Sequence, residues 1–223
     1  MKLDVPEAVS WQNTDPRKHF PTLVGVDVGL NTDNGKLRAC AVALDSIDLE
    51  IIDLAVVEMS PALPYIPGYL SFRELPAVLK ALAKLTVAPS IVMCDGQGIA
   101  HPRRFGIACH LGVELGLPTI GIAKKKLVGK FQVPDNQRFA SSELWHNQEL
   151  VGLVLRSRVN VKPIFVSPGH LMTVNEAGRW VCSAMRNFKL PEATRIADQI
   201  ASRRVTKKLD QKLILKGFEH YAD

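Results

Sequence analysis

Between residues 23 and 57 the chain carries three apolar, β-branched runs, Leu23 to Leu30, Leu37 to Leu44 and Glu50 to Val57. The links between them hold Asn31, Asp33, Asn34 and Gly35, then Asp45 and Asp48. Links this short and polar turn a chain back on itself and leave no room for a parallel crossover. They predict an antiparallel meander. The periodicity then changes. Tyr69 to Leu85 repeats helically around Pro76, which either starts the main segment or kinks it. Ser90 to Cys94 reads as a buried strand, Arg104 to Gly116 as a helix and Thr119 to Ala123 as a strand. Leu150 to Leu155 and Ile164 to Val166 are further strands, and Thr173 to Asn187 and Thr194 to Arg204 closing helices. A meander followed by βαβ units predicts an α/β fold, a mixed sheet with helices on its faces. Polar Gln132 to Gln148 is expected to be a loop or insertion.

A chain of 223 residues, 47% hydrophobic and 22% charged, is expected to bury one core as a single domain over 1–223. Six basic residues between Arg203 and Lys216 suggest a basic C-terminal extension over about 205–223, adding DNA affinity or solubility. A net charge of +6 favours a polyanionic partner. Cys40, Cys94, Cys109 and Cys182 show no CxxC spacing, which argues against a zinc knuckle or redox pair and for a reducing compartment. Asp4, Pro6 and Glu7 interrupt any signal-like start, and no apolar run reaches the ~20 residues of a membrane helix. The expectation is a cytoplasmic monomer without a membrane partner.

Three carboxylates stand where the apolar pattern does not want them. In the first strand Val24, Val26, Val28 and Leu30 share one face, leaving Asp27 on the other between Gly25 and Gly29. A mid-strand carboxylate must be solvated, paired or metal-bound, and the glycines would clear room for a metal or phosphate; an edge strand with a wet face is the alternative. Glu74 has Leu70, Ala77 and Val78 at i−4, i+3 and i+4 and so leaves an apolar stripe; alternatively it is a first-turn glutamate favoured by the helix dipole. Asp95 ends its strand, where α/β sheets place ligands, ahead of a turn with Gly96 and Gly98; it also suits a plain turn. Three carboxylates without cysteine or an HExxH pair favour magnesium or manganese over zinc.

Four segments resemble the endonuclease V family: GVDVG around Asp27, PYIPGYLSFRE from Pro64, DGQGIAHPRRFGIACHLG from Asp95 and PTIGIAKKKLVGKF from Pro118. The likeness runs from Val24 to about Arg204. It implies a ribonuclease-H-like sheet and repair of deoxyinosine-containing DNA, with hydrolysis of the second phosphodiester bond 3′ to the lesion, leaving 3′-hydroxyl and 5′-phosphate ends. It also implies that Asp27, Glu74 and Asp95 are metal ligands, with Asp198 of LPEATRIAD a fourth candidate. Ala193 there departs from the usual EPTR and is expected to alter a turn.

Pro64, Tyr65, Ile66, Pro67 and Gly68 form a proline-stiffened loop with an aromatic and a branched side chain. The resemblance makes it a wedge that fills the gap left by an extruded base, with Tyr65 most prominent. Gly96-Gln97-Gly98 is not a dinucleotide fingerprint, since His101 stands where GxGxxG needs its third glycine. Backbone groups there would read hypoxanthine, which offers an acceptor at O6 and a donor at N1. Gly106, Gly121, Pro102 and Arg103 join this substrate-binding set. His101 would position the phosphate, the water or a proton, whereas His110 reads as a packing residue. Lys124 matches the family's AK position as a catalytic cation; Lys125, Lys126 and Lys130 read as a solvated basic face.

The same carboxylates suit other ribonuclease-H-like nucleases, such as a junction resolvase or a nuclease acting on inosine in RNA. A non-catalytic nucleic-acid-binding module is disfavoured, because acidic groups facing a phosphate weaken binding. No GxSxG elbow or cysteine-nucleophile context points to other hydrolases.

Overall fold

A computed structural model of the protein describes residues 17, 19–32, 34–64, 66, 68–218 and 221. The meander forms as expected: β1 (Thr22–Leu30), β2 (Leu37–Asp45) and β3 (Ile51–Met59) pair antiparallel in sequence order. β4 (Ile91–Asp95) then lies parallel to β1, and β5 (Thr119–Ala123) parallel to β4, with α1 (Leu70–Ala83) and α2 (Ile107–Leu115) as the crossovers. β6 (Ser141–His146), β7 (Glu149–Leu155) and β8 (Ile164–His170) return antiparallel. The result is one eight-stranded mixed sheet of order β3-β2-β1-β4-β5-β8-β7-β6, flanked by helices.

Four expectations need correcting. Gln132 to Gln148 is not loop throughout, because β6 lies inside it. Only Leu144 of β6 is buried, so an edge strand with a wet face looked like a polar link. β8 runs on past Val166 through Pro168 and Gly169; the Pro168 carbonyl accepts the Ile99 N–H at 2.9 Å. α1 passes unbroken through Pro76, which therefore does not start it; the proline costs one intrahelical bond, that of the Phe72 carbonyl. α2 starts three residues after Arg104, whose φ of +55 is not helical.

α3 (Val174–Ser183) opens with a capping box in which Thr173 and Glu176 satisfy each other's backbone N–H groups. α4 (Glu192–Ala201) and α5 (Lys207–Leu215) follow. The sheet separates two cores. On one face Val24, Val26, Ala39 and Val92 pack against Leu75, Val78 and Leu82 of α1 and Leu111 of α2. On the other, Leu23, Ile91, Met93, Ile120 and Ile122 pack against Trp180, Ile196, Ile200 and, from α5, Leu209 and Leu213. Among the described residues no helix is long and apolar enough to cross a membrane.

Candidate active site

The three parallel strands end side by side. Odd-numbered Leu23 in β1 and Ile91 and Met93 in β4, with even-numbered Ile120 and Ile122 in β5, point to the α4 face. Continuing each alternation puts Asp27, Asp95 and Lys124 on that face, with Asp27 in mid-β1 level with the carboxyl ends of β4 and β5. α4 supplies the last corner. Carboxylate oxygens of Asp27, Asp95 and Asp198 all lie within 4.8 Å of one another. The Lys124 ammonium donates to Asp95 and, at 2.7 Å, to Asp198 Oδ1. Arg204 reaches Asp198 Oδ2 at 3.2 Å, and Asp27 Oδ1 accepts the Val28 N–H at 2.8 Å.

These acids are held away from water. Burial, then the charge of Asp95, pushes the Asp27 carboxyl well above the usual range. Burial also raises Asp95, against the Lys124 hydrogen bond that favours its ionised form. Lys124 is itself partly buried, which disfavours its charge, yet its bonds to Asp198 and Asp95 hold it at about 12. Glu74 is raised to about 7, chiefly by burial, with Arg73 lowering it and Asp95 raising it. It is not in the oxygen triangle. It comes from α1 on the opposite face and lies within electrostatic reach of Asp95. A first-turn role is removed, since α1 starts at Leu70 and its first turn holds no acid.

The room beside Asp27 serves a helix. A Cβ on Gly25 would lie 2.2 Å from the Ala193 carbonyl carbon, and one on Gly29 2.2 Å from the Ala201 oxygen. The glycines therefore let the α4 backbone rest on β1, which carries Asp198 to Asp27. Ala193 is fully buried at this contact, inside the helix and not in a turn. A signal for Asp198 was available: small residues every four positions, Ala193, Ala197 and Ala201, matching Gly25 and Gly29, four apart in β1 with Asp27 midway between them.

A cavity of about 340 Å³ adjoins Asp95 and is lined by Gly68, Gly96, His101, Pro102 and Gly106. Leu70, Ser71, Gln97, Ile107 and Leu127 complete it; the sequence reading did not single these out, because they are ordinary apolar or polar residues at element ends. Gly98 and Gly121 lie behind the wall, not on it: a Cβ on Gly121 would meet the Gly98 nitrogen at 2.3 Å. Burial, then Arg103, lowers the His101 pKa. Arg103 donates to the Gly68 carbonyl and stacks 4.5 Å over the Tyr69 ring, tying Gly68 and Tyr69 to the turn at His101. In that loop Pro64 and Ile66 are exposed, while Tyr65 and Pro67 lie outside the described residues. His110 packs between Phe72 and Phe105, with ring centroids at 4.8 and 5.3 Å. Lys125 and Lys126 are exposed.

The Endonuclease V family model matches residues 4–199. An endonuclease V of Azotobacter vinelandii is 51% identical over 191 residues, 84% of this chain and 86% of that one. The crystal structure of the endonuclease V of Streptomyces avermitilis superposes with a TM-score of 0.78 at 40% identity, covering 82% of this chain and 80% of the other. That of Ciona intestinalis, in complex with a 24mer DNA containing an inosine followed by a ribo-adenosine, gives 0.71 at 25%, covering 83% and 86%. The mixed sheet described above is thus the ribonuclease-H-like fold of these structures.

Proposed function

The chain belongs to the endonuclease V family and is a nuclease, and from that premise we propose that it nicks DNA beside deoxyinosine, hydrolysing the second phosphodiester bond 3′ to the lesion. The observation that carries this reading is the junction of two features at Asp95, which belongs to the oxygen triangle and lines the 340 Å³ cavity. The inosine in the DNA bound by the Ciona relative supports the choice of base.

The donor set fits a hard divalent cation: three carboxylates, no thiolate or imidazole, and one of them so desolvated that it calls for a counter-charge. Asp27, Asp95 and Asp198 would hold magnesium, or manganese, with Glu74 beside them. Such an ion supplies polarisation of the scissile phosphate, activation of water and relief of charge on the leaving oxygen. The protein's own groups do the rest. Lys124 keeps its charge at neutral pH and acts as a fixed cation for a phosphate oxygen. His101, neutral at that pH, accepts or passes a proton at the pocket mouth. The cavity walls, with backbone groups at Gly96 and Gly106, hold the extruded base while the 64–68 loop fills its place in the stack.

The test incubates the protein and magnesium with matched inosine-containing and normal duplexes, as DNA and as RNA, and maps the cut. A single nick in the inosine DNA strand, one phosphate beyond the adjacent bond, and none with Asp27→Asn, is the expected result. Equal cutting of normal duplex, or undiminished cutting by Asp27→Asn, overturns the proposal.

A further inference from the structure

The β6–β7 hairpin carries a feature that hydrolysis at the carboxylates does not use. Trp145, 43% exposed on the edge strand, stands between two grooves of about 450 and 420 Å³. Its indole is not loose: Nε1–H donates to Glu143 at 2.8 Å, and its backbone pairs with Lys130 through bonds of 2.7 and 2.9 Å. Lys130 and Phe131 line the first groove, and Lys126 sits 5.7 Å over the Phe131 ring. Asn147 and Gln148 at the hairpin tip both take φ > 0, at +52 and +65, a tight two-residue turn that fixes the hairpin.

The grooves are joined to the active site at two points. The chain from Lys124 to Lys130 runs from the carboxylate cluster to the Trp145 pairing. Arg104, in the turn after His101, clamps the hairpin: it donates to the His146 carbonyl at 2.9 Å and pairs with Glu149 at 2.7 Å. β6 lies three strands from β5, or about 15 Å at roughly 4.8 Å per strand. That is the span of about four stacked nucleotides at roughly 3.4 Å each.

We propose that this surface binds the nucleic-acid strand that leaves the active site, with an unpaired base stacked on Trp145 and backbone phosphates on Lys126 and Lys130. An exposed aromatic face beside lysines is the combination by which single strands are held without sequence preference. Glu143 would repel a phosphate, but it accepts the indole N–H and orients the ring. A second protein is the poorer occupant, because the lysines and polar tip complement phosphate. The inference rests on the protein's acting on nucleic acid, not on its choice of base.

The test measures binding by fluorescence anisotropy, in EDTA to prevent cutting, for wild type, Trp145→Ala and Trp145→Phe. The probes are labelled single strands of 24 and 7 nucleotides with a central deoxyinosine, and a 24-nucleotide strand without it. Trp145→Ala is expected to weaken both long strands about tenfold, Trp145→Phe to retain most of the affinity, and all three proteins to bind the short strand alike. Unchanged binding of the long strands by Trp145→Ala overturns the proposal. So does an equal loss on long and short strands, which would mark a folding defect. Loss of inosine-specific nicking in wild type would sink the proposed function and leave the Trp145 result on the plain strand readable.

Discussion

Asp27 is under opposing demands. It must be ionised to hold a cation, yet burial and Asp95 push its pKa well up. Glu74, at about 7, is in the same position. An acid whose folded pKa lies above its unfolded value contributes stability at low pH and loses that contribution as pH rises through the folded pKa. For Glu74 the window runs from 4.5 to about 7. Metal-free Asp27→Asn should therefore melt a few degrees above wild type at pH 8, where roughly 2–4 °C corresponds to 1 kcal/mol at this chain size. The gain should shrink on acidification, while magnesium-dependent nicking falls by orders of magnitude. Scanning calorimetry of both proteins with EDTA at pH 5 and 8 checks this, and a lower melting point for the variant at pH 8 would contradict it. Arg103 makes a different demand, for shape. Its bond to Gly68 and its stacking on Tyr69 together account for about 1–2.5 kcal/mol. Arg103→Ala should raise KM for the inosine duplex about tenfold with little change in kcat, and Arg103→Lys should not restore it, because an ammonium lacks the planar stacking face.

The β1–α4 contact determines whether a site forms at all. Gly25→Ala would drive a methyl group into the Ala193 backbone, at a cost of about 1–3 kcal/mol or more from overpacking. Lifting α4 also moves Asp198 from Asp27, so nicking should fall further than the melting point suggests. Gly35→Ala is the control: φ is +68 but nothing lies within 4 Å, so stability drops modestly and activity persists. Another contact joins the α1–β4 link to the sheet. Asp53 accepts from the Thr86 hydroxyl at 2.8 Å and from the Leu54 and Val87 N–H groups at 2.7 and 3.3 Å. Burial opposes its charge, but these bonds prevail and lower its pKa. Its stabilisation is present above pH 3.8, the unfolded value, and is lost as pH falls through the lower folded pKa. Asp53→Asn should thus be less stable than wild type at pH 7, with the gap closing in strong acid. What the sequence made legible follows the range of each interaction. β1 to β3 and the carboxylates Asp27 and Asp95 on β1 and β4 were readable because alternation and turn chemistry are local. β6 escaped because a wet edge strand hides one residue in six. The ranking of Asp198 below Glu74 came from reading each residue against its own element; their relative placement depends on helices packing on opposite faces of the sheet.

At the scale of the whole molecule, the basic C-terminal stretch has two separable features, a buried apolar side and an exposed basic one. α5 sends Leu209 and Leu213 into the same core as Leu23 and Ile200, while Lys212 and Lys216 pair with Glu50 at 3.0 and 3.4 Å. Burying two leucines is worth roughly 3–6 kcal/mol, a large part of the ~5–15 kcal/mol that typically holds a domain folded. The ion pairs are exposed and contribute little. Ending the chain at Val205 should therefore lower the urea midpoint sharply and abolish activity through unfolding, whatever the helix does for DNA. Lys207 and Lys208 lie on the exposed side of α5, so Lys207→Ala/Lys208→Ala should keep the fold. If both lysines contact duplex phosphates, the slope of log affinity against log salt becomes shallower by about 1.8, at ~0.9 per contact. An unchanged slope with an unchanged urea midpoint would assign this stretch to the core alone. The two variants together separate packing from polyanion binding, a distinction that the count of basic residues does not make.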